Sequence, residues 1–343
     1  MKTIRFGRTG LQVGRTGFGA IPIQRLSFAE AGAILRRAYE AGVNLFDTAR
    51  GYSDSEEKIG QALAPVRDKI ILATKSGASD KAGLFAHLET SLRNMKTDYV
   101  DILQLHNPTD LPDPNDPNST YAGLLEAQRK GMVRFLGITN HRLSNAVAAA
   151  ESGLYDTMQF PLSAISSAQD LGLIEVCRKK DMGLLAMKAL CGGLLTNARA
   201  AFAFLRQYEN VVPIWGIQEQ AELAELLDLE ANPPALDAGI QAALDRDRTE
   251  LAGQFCRACG YCLPCPAEIP IPMAARMKFL LRRMPAENFL TEEWQEKMRR
   301  INDCKLCRQC ADRCPYELDT PQLLKALLVD YEDFLKSSRT DKA

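Results

Sequence analysis

The sequence predicts an α/β fold, a parallel (β/α)₈ barrel, followed by a small and mainly helical module. Two patterns predict this. Eight short apolar runs alternate with amphipathic stretches over the first two thirds of the 343 residues, and eight of the ten cysteines fall near the end. Eight alternations of strand and helix favour closure into a TIM barrel. A doubly wound open sheet is the alternative, but no GxGxxG motif opens the first helix.

The predicted strands are apolar runs, and the predicted helices are rich in Ala, Leu, Glu and Arg. The strands are Gly17–Ile21, Leu45–Asp47, Ile70–Thr74, Val100–Gln104, Phe135–Thr139, Thr157–Phe160, Gly183–Met187 and Val211–Ile214. The helices are Phe28–Ala41, Glu56–Leu63, Leu84–Met95, Tyr121–Lys130, Asn145–Glu151, Leu171–Lys180, Ala198–Gln207 and Gln220–Leu229. A hairpin of Thr3–Phe6 with Gln12–Val13 is expected to plug the barrel floor.

A proline pair ends the alternating pattern and marks a domain boundary at Asn232, Pro233 and Pro234. We therefore expect a barrel domain over residues 1–232 and a second domain over residues 233–343. In the second domain, Asn288–Ile301 and Pro321–Lys336 are predicted helices.

Eight cysteines form two tight runs, each of which ends in a cysteine followed by proline. The first run is Cys256, Cys259, Cys262 and Cys265, and the second is Cys304, Cys307, Cys310 and Cys314. This spacing is typical of ferredoxins, in which the Cys-Pro cysteine of one run serves the cluster of the other. We expect two [4Fe-4S] clusters in a ferredoxin-like iron–sulfur domain. One would bind Cys256, Cys259, Cys262 and Cys314, and the other Cys304, Cys307, Cys310 and Cys265.

Zinc sites and disulfides are the alternatives for these cysteines. Zinc ligands usually come as two separated pairs, and the N-terminus, MKTIRFGRTG, carries no secretory signal that would favour disulfides. The first run has two residues before its last cysteine, whereas the bacterial ferredoxin pattern has three. Whether Cys265 crosses to the second cluster is therefore left open.

Charge and hydropathy bear on the partners of the chain. The 42 basic and 43 acidic residues nearly balance and form no long basic block, so we expect no nucleic-acid partner. No run of about 18 apolar residues is present, so we expect no membrane span. Cluster thiolates need a reducing compartment, which indicates a cytoplasmic location.

Four polar side chains fall at or just after the ends of three consecutive predicted strands, where a barrel gathers its active-site residues. They are Asp47, Tyr52, Lys75 and His106. A Lys75 ammonium would stabilise the phenolate of Tyr52 and lower the pKa of the phenol, with Asp47 holding Lys75 charged. His106 would hydrogen-bond a substrate oxygen. Each residue alone also has a structural interpretation, but the four in order favour catalysis.

The stretches FDTARGYSDSEEKIG, ILATKS, LQLHNP and GITNHR occur in this order and resemble the aldo-keto reductase superfamily over roughly residues 1–230. With its cysteine runs, the chain is similar to the bacterial and archaeal members that carry a C-terminal ferredoxin-like domain. The resemblance implies that Asp47, Tyr52, Lys75 and His106 form the family's catalytic tetrad. Tyr52 would then be the general acid, while NADPH or NADH delivers hydride to a small carbonyl substrate or removes it from the alcohol.

The resemblance also implies positions for the cofactor. Asn140 and Gln159 would bind the nicotinamide carboxamide. The loops after the seventh and eighth strands would contribute further cofactor contacts from Gly192, Gly193, Trp215, Gly216 and Gln218. The two adjacent glycines let backbone amides approach a pyrophosphate, although a simple glycine turn is an equal alternative.

Three positions depart from the family pattern. Leu162 stands where an aromatic residue commonly stacks on nicotinamide, and Leu226 stands where an asparagine holds adenine. Gln218 replaces a charged group that binds the 2′-phosphate. Leucine has no π face and glutamine has no charge, so the pattern predicts a weaker cofactor site.

The clusters need an explanation of their own, because hydride transfer moves two electrons together and a cluster moves one. A ferredoxin-like or flavoprotein redox partner is expected, and a flavin is a further candidate cofactor. One alternative is a nicotinamide-independent reductase that is fed by the clusters. Another is an electron-transfer or docking subunit of a larger redox complex.

Overall fold

The computed structural model describes residues 1–193, 195–251, 256–257, 260, 262–283, 286–314 and 316–340. The chain divides into two compact units. The first is Met1–Leu190 with Asn197–Gln241, and the second is Cys191–Thr196 with Ala242–Ala343.

Eight parallel strands close into a barrel in the first unit, which confirms the predicted fold class. The antiparallel hairpin β1 (Thr3–Arg5) and β2 (Gln12–Gly14) comes before them. Within the described residues, the barrel strands are β3 (Gly17–Gly19), β4 (Leu45–Asp47), β5 (Ile71–Ser76), β6 (Val100–His106), β7 (Val133–Thr139), β8 (Thr157–Pro161), β9 (Gly183–Met187) and β10 (Val211–Gly216). Each pairs with the next along the chain, and β10 pairs with β3 to close the barrel.

Five of the barrel strands are longer than predicted, among them β5 and β6. The pairing of β5 with β6 continues through Lys75 and Gln104, and the pairing of β6 with β7 continues through His106 and Thr139. The backbone of these polar residues continues the hydrogen bonding between the strands. Lys75 and His106 are therefore part of the strands rather than of the loops that follow, and their positions are set by strand register.

The hairpin closes the amino-terminal end of the barrel, as expected from the sequence. Phe6, Leu11 and Val13 lie in one buried cluster with residues from the first halves of the strands, such as Leu45 and Val212. The floor of the barrel is therefore apolar.

A helix follows each barrel strand. In the described part of the chain these helices are α1 (Phe28–Glu40), α2 (Ser55–Leu63), α3 (Lys81–Met95), α4 (Thr120–Arg129), α5 (Leu143–Ser152), α6 (Ala168–Lys179), α7 (Ala198–Arg206) and α8 (Gln220–Ala231). Ser27 and Ser167 start α1 and α6 with capping boxes, in which the serine side chain accepts a backbone N–H of the first turn.

The second unit is helical in the residues described. Its helices are α9 (Ala238–Leu251), α10 (Ile271–Ala274), α11 (Met277–Arg283), α12 (Glu292–Arg299), α13 (Gln309–Asp312) and α14 (Thr320–Thr340). The division between the units falls inside α9, whereas the sequence expectation placed the boundary at Asn232, where α8 ends. No helix among the described residues is long and apolar enough to cross a membrane.

One buried core holds the helices of the second unit together. Met277, Met298, Leu324 and Tyr331 are among its members, and the Tyr331 hydroxyl donates to the Phe289 carbonyl at 2.7 Å. Several of the cysteines pack against this core, namely Cys256, Cys262, Cys265, Cys304 and Cys310. The cysteine loops are therefore supported by ordinary apolar packing.

Candidate active site and cysteine cavities

A buried ion pair joins the carboxyl ends of β4 and β5. Lys75 Nζ donates to Asp47 Oδ2 at 2.6 Å and to the Thr48 carbonyl at 2.7 Å. Lys75 is 1% exposed and Asp47 is 3% exposed. Gln104 Nε2 donates to Asp47 Oδ1 at 3.0 Å, and Gln159 Nε2 donates to Oδ2 at 3.4 Å. Both carboxylate oxygens thus accept hydrogen bonds, which fixes the carboxylate in place.

Burial and charge act against each other in this pair. Burial raises the pKa of Asp47, and the attraction of Lys75 and the two amides opposes that rise. Burial lowers the pKa of Lys75, but the charges of Asp47 and Tyr52 outweigh it and leave the pKa raised. Lys75 therefore stays an ammonium at neutral pH, and Asp47 is the group that keeps it charged.

Tyr52 and His106 lie together beside this pair. Lys75 Nζ is 5.0 Å from the centroid of the Tyr52 ring. The Tyr52 and His106 ring centroids are 5.8 Å apart and meet edge to face, with an interplanar angle of 82°. Both rings are partly buried. The fold thus brings all four predicted residues together where β4, β5 and β6 end.

The protonation states of the two rings follow from their surroundings. Burial raises the pKa of Tyr52, and the Lys75 ammonium opposes the rise without overcoming it. Lys75 acts in the expected direction on the pKa of Tyr52, but the net shift is upward because the loss of hydration destabilises the phenolate more than the ammonium stabilises it. Burial, together with the charge of Lys75, lowers the pKa of His106 to about 4. At neutral pH the phenol is protonated and the imidazole is neutral.

Sequence reasoning missed Gln104 and Glu56. Gln104 is two residues before His106 on β6, so both side chains face the barrel interior. A polar residue at an inward position of an apolar strand was the available signal. Glu56 is fully buried and accepts hydrogen bonds from Thr74 Oγ1 at 2.7 Å and Arg50 Nη1 at 2.6 Å. It holds the loop after β4, which carries Tyr52.

The two residues expected at the nicotinamide carboxamide differ. Gln159 Oε1 is buried and has no hydrogen-bond partner among the described residues, so it can accept from an amide. Both polar side-chain atoms of Asn140 already make one hydrogen bond each, and each can make a second one. Its Nδ2 donates to the Pro108 carbonyl at 2.9 Å, and its Oδ1 accepts from the Arg142 backbone at 2.8 Å. Asn140 therefore ties together the loops after β6 and β7.

Trp215 does not present its ring to the barrel mouth. It is 2% exposed and stacks on Phe202 of α7, with the ring centroids 5.9 Å apart. Because side chains alternate along a strand and Ile214 faces the interior cluster, Trp215 faces the helical layer. The ring therefore packs against α7, and a cofactor contact from Trp215 stays a prediction. Gly216, which ends β10, is exposed.

Gln218 has a cationic neighbour that the sequence did not indicate. Its Oε1 accepts from Arg25 Nη1 at 2.6 Å. Arg25 belongs to the loop after β3, far away in sequence. The backbone N–H of Gln218 is taken by the Glu222 carboxylate at 2.8 Å. A phosphate at this position would therefore rely on the guanidinium rather than on this amide.

The loop after β9 contains the two adjacent glycines. Gly192 and Gly193 have φ values of +67° and +97°, conformations that favour glycine. Among the described residues other than its chain neighbours, no atom lies within 4 Å of the place where a Cβ on Gly192 would stand. The loop thus leaves room beside this backbone. Leu162 and Leu226 are buried side chains.

Two neighbouring cavities in the second unit are lined by the cysteines. The first cavity, of about 410 Å³, is lined by Cys262, Cys265, Cys304, Cys307 and Cys310. The second cavity, of about 370 Å³, is lined by Cys256, Cys262, Cys310 and Cys314. Cys259 lies outside the described residues. The last cysteine of each run therefore lines the cavity beside the other run.

The pKa of Cys310 also indicates that Cys265 lies near the second run. Burial raises the pKa of the Cys310 thiol, and negative charge on Cys304 and Cys265 adds to the rise against two opposing backbone hydrogen bonds. Cys265 thus lies close to the second run, and its ligation of the second cluster stays a prediction.

Comparison with known proteins agrees with these features. Residues 11–207, more than half of the chain, match the model of the aldo/keto reductase family. Residues 255–319 match the model of the 4Fe-4S dicluster domain.

Two curated relatives match the barrel region. Aldo-keto reductase YhdN from Bacillus subtilis (strain 168) is 28% identical over 209 residues, which cover 55% of this chain and 62% of that protein. L-galactose dehydrogenase from Arabidopsis thaliana is 29% identical over 210 residues, which cover 56% of this chain and 66% of that protein. The chain spans a little under two thirds of the length of each.

Two solved structures share the fold. A putative aldo-keto reductase from Pseudomonas aeruginosa has a TM-score of 0.59 and 26% identity, over 67% of this chain and 94% of that one. An aldo-keto reductase from Klebsiella pneumoniae in complex with NADPH has a TM-score of 0.62 and 23% identity, over 71% of this chain and 94% of that one. The resemblance drawn from the motifs is confirmed: the chain belongs to the aldo/keto reductase family and carries a 4Fe-4S dicluster domain toward its C-terminus.

Proposed function

We propose that the barrel is an oxidoreductase that interconverts a carbonyl and an alcohol in a small molecule, with Tyr52 as the acid and base. One observation carries this proposal. The buried Asp47–Lys75 pair, joined at 2.6 Å, places an ammonium 5.0 Å from the centroid of the Tyr52 ring, with His106 edge-on to the same ring.

The proton chemistry follows from the charge of Lys75. Reduction of a carbonyl leaves negative charge on its oxygen, and a protonated phenol can supply the proton. As the proton leaves, a phenolate forms beside the ammonium. Lys75 therefore stabilises the charge that appears during the reaction, although its effect on the resting pKa of Tyr52 is smaller than that of burial. In the oxidative direction the phenolate takes the proton back.

His106 has a separate role in this proposal. Burial and the Lys75 charge keep its pKa at about 4, so the imidazole is neutral at physiological pH. A neutral imidazole can donate one hydrogen bond to the carbonyl oxygen, which orients and polarises the substrate without competing as the acid. Tyr52 and His106 would thus contact the same oxygen.

NADPH or NADH, when bound, supplies the hydride to the carbonyl carbon. Gln159 Oε1 fits the amino group of a carboxamide, because it is a buried acceptor with no partner among the described residues. Arg25, held by Gln218, fits a 2′-phosphate and favours NADPH. The backbone at Gly192 and Gly193 and the exposed Gly216 are the other candidate contacts.

The second domain, in this proposal, holds two [4Fe-4S] clusters. Cys265, Cys304, Cys307 and Cys310 would ligate one, and Cys256, Cys259, Cys262 and Cys314 the other. The two cysteine-lined cavities support these sets, since the four described thiols of the first set and three of the second line one cavity each. The clusters would exchange single electrons with a redox partner.

A second candidate function is a reductase that uses no nicotinamide and takes electrons from the clusters, with Tyr52 still the proton donor. Three observations favour it. Asn140 already makes loop contacts, Trp215 faces α7, and Leu162 offers no aromatic face. A flavin could accept electrons singly and deliver a hydride, and would serve as the intermediate carrier.

Replacing Tyr52 with Phe removes the proton donor and keeps the ring. We expect carbonyl turnover to fall about 10²- to 10⁴-fold, the usual contribution of a positioned acid. Tyr39→Phe on α1 is the matched control and keeps full activity. Anaerobic steady-state assays measure both variants, and cluster spectra report that the second domain is intact. Undiminished turnover in Tyr52→Phe would reject the role of Tyr52.

The pH profile of the reduction rate depends on the protonation states of His106 and Tyr52. The rate requires a neutral His106 and a protonated Tyr52. We therefore expect it to rise as pH increases through about 4 and to fall only above 10.0, the ordinary pKa of the phenol. Measurement of kcat/KM by pH jump tests this. In His106→Gln the acid limb should disappear, because glutamine donates a hydrogen bond but does not gain a proton and a positive charge near pH 4. An acid limb that persists in this variant would assign it to another group.

Binding of NADPH and NADH tests the proposed contact between Arg25 and the 2′-phosphate. By anaerobic calorimetry, we expect Arg25→Gln to weaken the affinity for NADPH about 10- to 100-fold, which is the effect of losing a charge-assisted hydrogen bond. The affinity for NADH should change little. Arg36→Gln, at an exposed site on α1, serves as the control. If Arg25→Gln weakens the affinity for both nicotinamides equally, Arg25 does not bind the 2′-phosphate. If neither nicotinamide binds the wild type, the nicotinamide-independent function is the correct one.

Double substitutions separate crossed from uncrossed cluster ligation. Crossed ligation predicts that Cys265→Ala with Cys304→Ala damages one cluster and leaves about four irons per chain. It predicts that Cys265→Ala with Cys256→Ala damages both clusters and leaves almost no iron. Cys177→Ala, in the barrel, is the control. Iron analysis and electron paramagnetic resonance measure the outcome, and the reverse pattern would establish uncrossed ligation.

A further inference from the structure

The described residues that line the two cysteine cavities differ in their exposure to solvent. Six of the residues that line the first cavity are exposed, namely Pro264, Pro266, Lys305, Cys307, Arg308 and Gln309. None of the described residues that line the second cavity is exposed. Its lining includes Arg257, which is 8% exposed and whose guanidinium carbon lies 4.0 Å from the centroid of the Tyr316 ring.

The segment Lys305–Gln309 forms the open side of the first cavity. All five of its residues are exposed, and Cys307 is the one exposed cysteine among those described. A cluster bound here would therefore have one thiolate ligand at the protein surface. Electron tunnelling falls steeply with distance, so this ligand is the natural point of exchange with another protein.

Two apolar side chains flank this opening. Leu306 is 57% exposed and Leu263 is 44% exposed. Each lies directly beside residues that line the first cavity, Leu306 next to Cys307 and Leu263 next to Pro264. Short-lived protein interfaces commonly combine a small apolar centre with a charged rim. Leu306 and Leu263 can supply such a centre.

The charged side chains that line the opening are positive, and the exposed carboxylates Asp303 and Glu268 each adjoin a lining residue. Among the described residues that line the first cavity, the charged ones are Lys305 and Arg308, and no carboxylate is among them. Arg308 pairs with Asp319 at 3.4 Å, but the two side chains are 56% and 46% exposed. An exposed pair of this kind is weak and can be exchanged for a partner's carboxylate. The opening therefore complements an acidic surface.

We propose that Lys305, Arg308, Leu306 and Leu263 form a docking surface for an acidic one-electron carrier protein of the ferredoxin type. Electrons would enter through the cluster of the first cavity, so this proposal rests on the proposed cluster ligation and names its partner. The reduced carrier loses one electron and the oxidised cluster gains it. No bond forms or breaks and no proton moves in this step.

The test is anaerobic stopped-flow electron transfer between the cluster-loaded full chain and a plant-type [2Fe-2S] ferredoxin, in both directions. We expect Lys305→Glu with Arg308→Glu to slow the second-order rate about tenfold or more at low salt, with the difference shrinking near about 0.5 M salt. Leu306→Asn should slow it at both salt concentrations. Asparagine tolerates the left-handed backbone of this residue, whose φ is +52°.

The controls separate docking from cluster assembly. Lys336→Glu reverses an exposed charge on α14, about 18 Å along the helix from Leu324, and should react like the wild type. Dithionite is a small reductant that needs no docking surface and should reduce every variant alike.

Two results would overturn the docking surface and leave the clusters in place. One is a wild type that reacts with dithionite but with ferredoxin in neither direction. The other is a charge-reversed variant that reacts with ferredoxin as fast as the wild type. A wild type with no iron and no cluster signal under dithionite would remove the proposed clusters, and the docking surface with them.

Discussion

The buried ion pair between Asp47 and Lys75 is the interaction on which the barrel site depends. Two buried opposite charges are tolerated because hydrogen bonds compensate for their burial, here from Gln104 and Gln159 to the carboxylate and from Lys75 to the Thr48 carbonyl. Loss of one partner would leave an uncompensated buried charge, at a cost of about 3–5 kcal/mol. The charge of Lys75 also acts on both rings of the site, opposing the raised pKa of Tyr52 and lowering that of His106.

The barrel explains how such a pair can exist. Asp47 ends a strand of three residues, and the register of β5 against β6 sets Lys75 beside Gln104. The hairpin seals the opposite end with Phe6, Leu11 and Val13, so the interior beneath the pair is apolar. The same apolar interior strengthens the effect of the Lys75 charge on its neighbours and makes the phenolate costly in the resting protein.

The second unit has to hold eight cysteines that come from two short stretches of the sequence. An apolar core carries the loops, and the shared lining residues Cys262 and Cys310 make the two cavities neighbours. Their described linings differ in exposure, since Cys307 in the first is exposed and Arg257 in the second is buried. Two sites of the same chemistry would therefore meet solvent and partners differently.

The sequence by itself determined what is local or periodic: the alternation of strands and helices, the position of Asp47 at a strand end, and the two cysteine runs. The tertiary structure alone decided the rest, because burial and long-range contact leave no local trace. It set the raised pKa of Tyr52, turned Trp215 towards α7, and brought Arg25 to Gln218 from a loop nearly two hundred residues away. The tertiary structure also decided that Cys265 lies beside the second run, since the spacing of cysteines in the sequence limits how far each can reach but does not determine which other cysteines it meets.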